Sequence, residues 1–197
     1  MSIVRNRKSI VYQANEYDLT GIPTRYFNAG ELQVLITLIE SVSATSVIEF
    51  GVNNGRTPLA VLRNIPAIEK YIGIDVEQGY ITHMPKQRRE VPAIAGQLVL
   101  DDPRFELIVR PRGSFDLTAD ELPKVDVAFI DADHSRLGVE NDYNIAKQIV
   151  RSGGLIIFHD DNCLPVVEVT QTLNDLCDAG HDIIHIKDTW LSYEVVK

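Results

Sequence analysis

The chain has 197 residues, 45% of them apolar and 24% charged, the composition of one ordinary globular domain with a sizeable core. A net charge of −9 without a long basic block argues against non-specific binding to nucleic acid or an anionic membrane, while a nucleotide-sized substrate stays open. No apolar stretch reaches the roughly 18 residues of a transmembrane helix, and the basic N-terminus lacks the apolar region of a signal peptide. The two cysteines, Cys163 and Cys177, are too few for a disulfide framework or a thiolate zinc site, so the cytoplasm is the expected location.

Residues 1–27 carry Tyr12, Tyr17, Tyr26 and Phe27 without clear periodicity. They read as an arm lying over the ligand or over a partner subunit, with a homodimer as the matching expectation. The α/β core then runs from 28 to 197 as a single domain. A helix is expected from Asn28, where Asn28 and Glu31 form a capping-box-like pair and Leu32, Leu35, Ile36, Ile39 and Val42 share one face.

A buried strand follows at Ser46–Phe50 and runs into Gly51-Val52-Asn53-Asn54-Gly55. Gly51 and Gly55 permit a tight turn and close approach of backbone to ligand. Thr57 as N-cap and Pro58 as first helical residue predict a helix start whose free N–H groups face that ligand. Tyr71–Asp75 is a second buried strand, and Asp75 stands 24 residues after Gly51, near the offset at which such folds hold an acid for a ribose diol. Val76 follows it into the loop. Pro85 and Pro92 flank Lys86-Gln87-Arg88-Arg89-Glu90, a basic cluster suited to short helices, with a solvated face or an acidic substrate as its partner.

Phe105–Val109 reads as a third strand, followed by a turn through Gly113, Ser114 and Phe115 where an adenine edge can be met. Val125–Asp131 is a fourth strand, a helix covers about 136–151, and Gly153-Gly154 ends it before a fifth strand at Leu155–His159. Pro165 opens a last helix, and two strand-like runs, 182–187 and 189–196, are joined so tightly that they must be antiparallel. The whole is an open, mostly parallel sheet of seven strands with one antiparallel C-terminal strand and helices on both faces.

Ligands of such sheets bind beyond the carboxyl ends of the strands, where this chain places Glu49, Asp75, Asp131 and His159. Two clusters, Asp131-Ala132-Asp133-His134 and His159-Asp160-Asp161-Asn162, end neighbouring strands. Carboxylates with an amide oxygen suit Mg²⁺, and also Ca²⁺ or Mn²⁺. A cation there would acidify a substrate hydroxyl, and His134 has a pKa suited to taking its proton.

The Glu49-x-Gly51-x-x-x-Gly55 pattern resembles the first motif of class I S-adenosylmethionine (SAM)-dependent methyltransferases. Phe129-Ile130-Asp131-Ala132-Asp133-His134-Ser135, with Gly138-Val139 and Asp142, resembles the signature of the methyltransferase family often labelled family 24. Gly153–Asp160 is similar to that family's strand-five segment. Both segments are similar to divalent-metal O-methyltransferases of the catechol and caffeoyl-coenzyme A type. The resemblance covers about residues 45–196.

It implies SAM as cofactor, held by Glu49, Gly51, Asn53 and Gly55 at its methionine end and by Asp75 and Val76 at its ribose. Gly113, Ser114 and Phe115 would hold its adenine, with Asp131 closing the pocket. It further implies a cation on Asp131, Asp160 and Asp161, with His134 at the position of the family's lysine base. A register shift of one residue would use His159-Asp160 or Asp161-Asn162 instead. The implied activity is methyl transfer to a hydroxyl of a small molecule. The alternatives are a SAM- or nucleotide-binding module without transfer, and an NAD-dependent oxidoreductase, which the glycine spacing opposes.

Overall fold

The computed structural model describes residues 7–23, 29–81 and 91–197; Asn28 and the 86–90 basic cluster lie outside them. Eight strands form one sheet: β1 (Ser9–Ile10), β2 (Ser46–Phe50), β3 (Lys70–Val76), β4 (Phe105–Arg110), β5 (Val125–Ile130), β6 (Val150–Phe158), β7 (Ile184–Ile186) and β8 (Ser192–Val195). Their order is β1-β7-β8-β6-β5-β2-β3-β4. β8 is antiparallel to both neighbours, and the other pairings are parallel. The chain runs outward from β2 to β4 on one side and from β5 to β6 on the other, so the direction of winding reverses between β2 and β5. That is where open sheets of this kind leave a crevice.

Side chains alternate across the sheet with the period of two that strands impose. Ile48, Phe50, Ile130, Ile156 and Phe158 join one core cluster with α3 (Arg136–Ile149) and α4 (Val167–Asp178). Val47, Tyr71, Val127, Phe129 and Ile157 join the other, under α1 (Ala29–Ser41) and α2 (Arg56–Asn64). In α1, Leu32, Leu35, Ile36 and Ile39 are nearly inaccessible; burying each contributes about 1.5–3 kcal/mol before entropy is counted.

Five expectations change. The sheet has eight strands because the arm adds β1, which pairs Ser9 with His185 and Ile10 with Ile186. The arm then straps its own α1 and α2: Asn15 N–H donates to Thr37 Oγ1 at 2.9 Å and Asp18 N–H to Asn64 Oδ1 at 2.8 Å. None of residues 7–23 lines the cavity described below.

Helix α2 begins two residues early, at Arg56 after a left-handed Gly55 cap, and the Thr57 side chain bonds Glu49 instead of capping. Pro58 is tolerated because the N–H it lacks is one of the first-turn orphans. Glu31 accepts the Trp190 N–H at 2.6 Å, tying α1 to the loop before β8. Finally, α3 stops at Ile149 and β6 starts at once. Gly153-Gly154 forms a bulge inside that strand: pairing jumps from Val125–Val150 to Val127–Leu155, and Gly153 N–H donates to Val196 O at 2.7 Å.

Candidate active site

A cavity of about 280 Å³ opens over the carboxyl ends of β2, β3, β5 and β6. Its floor at β2 is Phe50, Gly51 and Asn53. Gly51 has φ 87°, and a Cβ there would overlap the Asp131 carbonyl oxygen. Its small size therefore serves the close approach of the glycine loop to the end of β5, where Asp131 N–H donates to Phe50 O at 2.9 Å. Gly55 faces away from the cavity, packed against Gly96 and Val99.

Glu49 is also behind the wall. The strand period places it with Val47 on the α1–α2 side, 1% exposed, where Tyr71 Oη donates to it at 2.9 Å. Burial, with the nearby charge of Asp131 adding to it, pushes its pKa well above the usual carboxylate value. Glu49 and Gly55, expected at the methionine end of SAM, thus lie behind the loop that lines the cavity and support it.

Asp75 does line the cavity. Asn53 N–H donates to its Oδ2 and Val76 N–H to its Oδ1, both at 2.7 Å, which aims the carboxylate. Burial raises its pKa to about 6 in spite of those two bonds. Gly113, Ser114, Phe115 and Val76 line the same end, and Gly113 (φ 60°) packs on Val76. The Ser114 hydroxyl donates to Asp142 and accepts from Asn141 Nδ2 at 3.1 Å, so it is committed within the protein. Burial lifts Asp142 to about 7 against those hydrogen bonds.

At the other end of the cavity the two polar clusters converge. His134 Nε2 lies 2.9 Å from Asp160 Oδ2 and 3.5 Å from Asp131 Oδ1. His159 Nδ1 lies 3.2 Å from Asp131 Oδ1 and 3.3 Å from Asp160 Oδ2. One ligand atom each from Asp131, His134 and Asp160 falls within 4.8 Å of the others, the spacing of a metal-holding group. Burial lowers the His134 pKa, but its bonds to Asp131 and Asp160 outweigh that and raise it to about 10. Burial raises Asp160, yet the His159 charge and the His134 contact hold it well below the ordinary value.

His134, expected as a base, is clasped between two acids that favour its protonated form in the metal-free protein. Asp161 does not join the cluster, because its side chain is fully buried against Arg7 at 2.7 Å. Trp190 and Pro165 line the cavity beside the cluster. Trp190 was missed in the sequence, since nothing in its spacing ties the loop before β8 to β5.

A methyltransferase domain profile matches residues 48–160, more than half of the chain and the stretch that carries Asp75, Asp131, His134, His159 and Asp160. The chain belongs to the methyltransferase domain family. No curated protein matches it. Among solved structures, it is similar to the cofactor-bound Rv0187 protein from MTB, with TM-score 0.60, 18% identity and coverage of 89% of this chain and 84% of that one. It is also similar to the O-methyltransferase TomG from Streptomyces achromogenes in complex with SAM (TM-score 0.58, 13% identity, 89% and 83%). A third is the O-methyltransferase from Bacillus cereus in complex with SAH (TM-score 0.53, 17% identity, 88% and 84%). At these identities the likeness concerns the fold, which is the Rossmann-like class I methyltransferase fold. The methyltransferase domain here departs from the expected seven strands only by the added β1.

Proposed function

We propose that this chain is a SAM-dependent O-methyltransferase acting on a small hydroxylated molecule, with a divalent cation held by Asp131, His134 and Asp160. The observation that carries the reading is that these three residues and Asp75 line one cavity, with a buried acid whose two oxygens are aimed by backbone N–H groups at one end and an acid–histidine cluster at the other. Asp75 would accept the ribose hydroxyls, and the Gly113–Phe115 turn would meet the adenine through its backbone and the Phe115 ring, since the Ser114 hydroxyl is already engaged. The methionine end would lie along the backbone of Gly51–Asn53.

Two carboxylates and one imidazole fit a borderline cation such as Mn²⁺ better than Mg²⁺, which prefers oxygen and water. When bound, the cation supplies a Lewis acid that lowers the pKa of the acceptor hydroxyl. This chain's own residues do the rest. Asp131, Asp160 and a deprotonated His134 would hold that cation, and the acceptor's proton would pass to solvent water as its oxygen takes the methyl from the sulfonium, which leaves as the neutral thioether. Trp190 and Pro165 would offer apolar surface to the acceptor at the wall of the cavity, and holding both reactants in line supplies much of the acceleration.

The test is calorimetric titration of SAM into metal-stripped protein, with a methyl-transfer screen over hydroxylated acceptors in Mn²⁺, Mg²⁺ or chelator. SAM binding with transfer that chelator abolishes and Mn²⁺ restores is the expected result. Absence of SAM binding would sink the proposal, and chelator-resistant transfer would remove the cation from it.

A further inference from the structure

Two acids follow one another after β6, and only the first faces the cavity. Asp161 points the other way. Its Oδ1 accepts from Arg7 Nη2 at 2.7 Å, and its Oδ2 accepts from Ser192 Oγ and pairs with His185 Nδ1 at 2.9 Å. Arg7 Nε in turn donates to Asn174 Oδ1 at 2.9 Å. The side chains of Arg7 and Asp161 are both 0% exposed. This is a sealed ion pair between the N-terminal arm and the residue next to a proposed cation ligand.

The depth of Arg7 is set by strand pairing. His185 N–H donates to Lys8 O at 2.9 Å, so the pairing of β1 with β7 sets the Arg7 backbone beside the strand that carries His185, a partner of Asp161. The turn passes through the left-handed region at Asp160 (φ 58°) and Asn162 (φ 66°), a conformation that Asp and Asn adopt more readily than other side-chain-bearing residues. Other ties come from Trp190 O, which accepts the Asp161 N–H at 3.0 Å, and Thr170 Oγ1, which accepts the Asn162 N–H at 2.6 Å.

We propose that Arg7 is a positioning residue for the site: by pinning Asp161 under the sheet edge, it makes Asp160 the acid presented to Asp131 and His134. A buried carboxylate that loses a charged partner is costly. Without Arg7, Asp161 Oδ1 loses its hydrogen-bond donor while Oδ2 keeps Ser192 and His185, and rotation of the turn toward the cavity relieves that loss and carries Asp160 out of its place. The naming of Asp160 as a cation ligand rests on the function proposed above; the pinning of Asp161 does not.

The experiment compares Arg7→Met, Arg7→Lys, Asp161→Ala and the Arg7→Met/Asp161→Ala double variant in three measurements. These are Mn²⁺ affinity, SAM affinity, and the imidazole ¹⁵N shifts of His134 in metal-free protein. Arg7→Met is expected to weaken Mn²⁺ binding by about ten- to hundredfold, the usual cost of losing an outer support of a metal ligand. Its SAM affinity should stay near wild type, and the His134 shifts should move toward those of a free imidazole. Arg7→Lys should recover part of both changes and decides the matter if Arg7→Met does not fold. The double variant should be no worse than the poorer single one, as for two residues acting as a unit.

Unchanged Mn²⁺ affinity and unchanged His134 shifts in Arg7→Met would overturn the proposal. So would an equal loss of SAM affinity, which marks a general defect. A wild-type protein that binds no Mn²⁺ overturns the cation reading instead, and the His134 shifts then decide the role of Arg7 alone.

Discussion

Tyr71 donates a hydrogen bond to Glu49 at 2.9 Å, beneath the glycine loop and sealed from solvent. Removing the hydroxyl leaves a buried carboxyl short of a partner. Tyr71→Phe should therefore cost about 1–3 kcal/mol, read from urea unfolding at an unchanged denaturant slope. Glu49→Gln keeps an acceptor for Tyr71 and no charge, so it should cost less than Tyr71→Phe. The reverse order would show that the charge, and not the hydrogen bond, is what the loop needs.

Gly51 and Gly21 both have positive φ, but only Gly51 has a neighbour where a Cβ would go. Gly51→Ala adds a clash with the Asp131 carbonyl to the backbone strain and should cost about 3 kcal/mol or more. Gly21→Ala meets open space and should cost about 1 kcal/mol. Paired unfolding curves check the difference.

Protonation of His134 makes the stability of the metal-free protein depend on pH. Its folded pKa of about 10 lies above the ordinary 6.5. The stabilisation is fully present below pH 6.5 and is lost as pH rises through about 10. His159, held by the same two acids, is also raised well above its ordinary value, so a thermal-unfolding series over pH 6 to 10.5 should fall with pH in wild type and fall less steeply in His134→Asn.

Asp75 gives a second pH dependence with a functional readout. Its pKa is raised from 3.8 to about 6, so its ionised form is disfavoured in the fold, and this contribution to stability declines from pH 3.8 to about 6. A ribose diol needs the ionised acceptor. SAM affinity should therefore weaken as pH drops below about 6, and Asp75→Ala should lose about 1.5–3 kcal/mol of binding and that pH dependence together. Calorimetry at pH 5, 6 and 7.5 is the check.

The apolar runs at 46–50, 71–75 and 125–130 are strands because nothing else buries such short segments on both faces, and period and turn chemistry expose them locally; the half-buried run at 105–109 pairs beside them at the sheet edge. The antiparallel β8 followed from the brevity of its connection. Asp75, Asp131 and Asp160 were legible because strand ends of a parallel sheet deliver their next residue to one rim. Glu49 was misread because its face depends on the strand's parity, which the motif does not reveal. Asp161 was misread because its partner, Arg7, lies 154 residues away in a stretch without periodicity. The two-residue β1 was invisible for the same reason: only the β7 backbone beside it makes it a strand.

β1 has a consequence for how this molecule keeps to itself. β7 holds only Ile184, His185 and Ile186, all buried, and without the arm it would end the sheet as an apolar border with free peptide groups. Such borders recruit strands from other chains. Two residues of self-pairing close that border, so a protein bearing a bulky N-terminal fusion that lifts Ser9 and Ile10 away would be prone to stack edge to edge at high concentration.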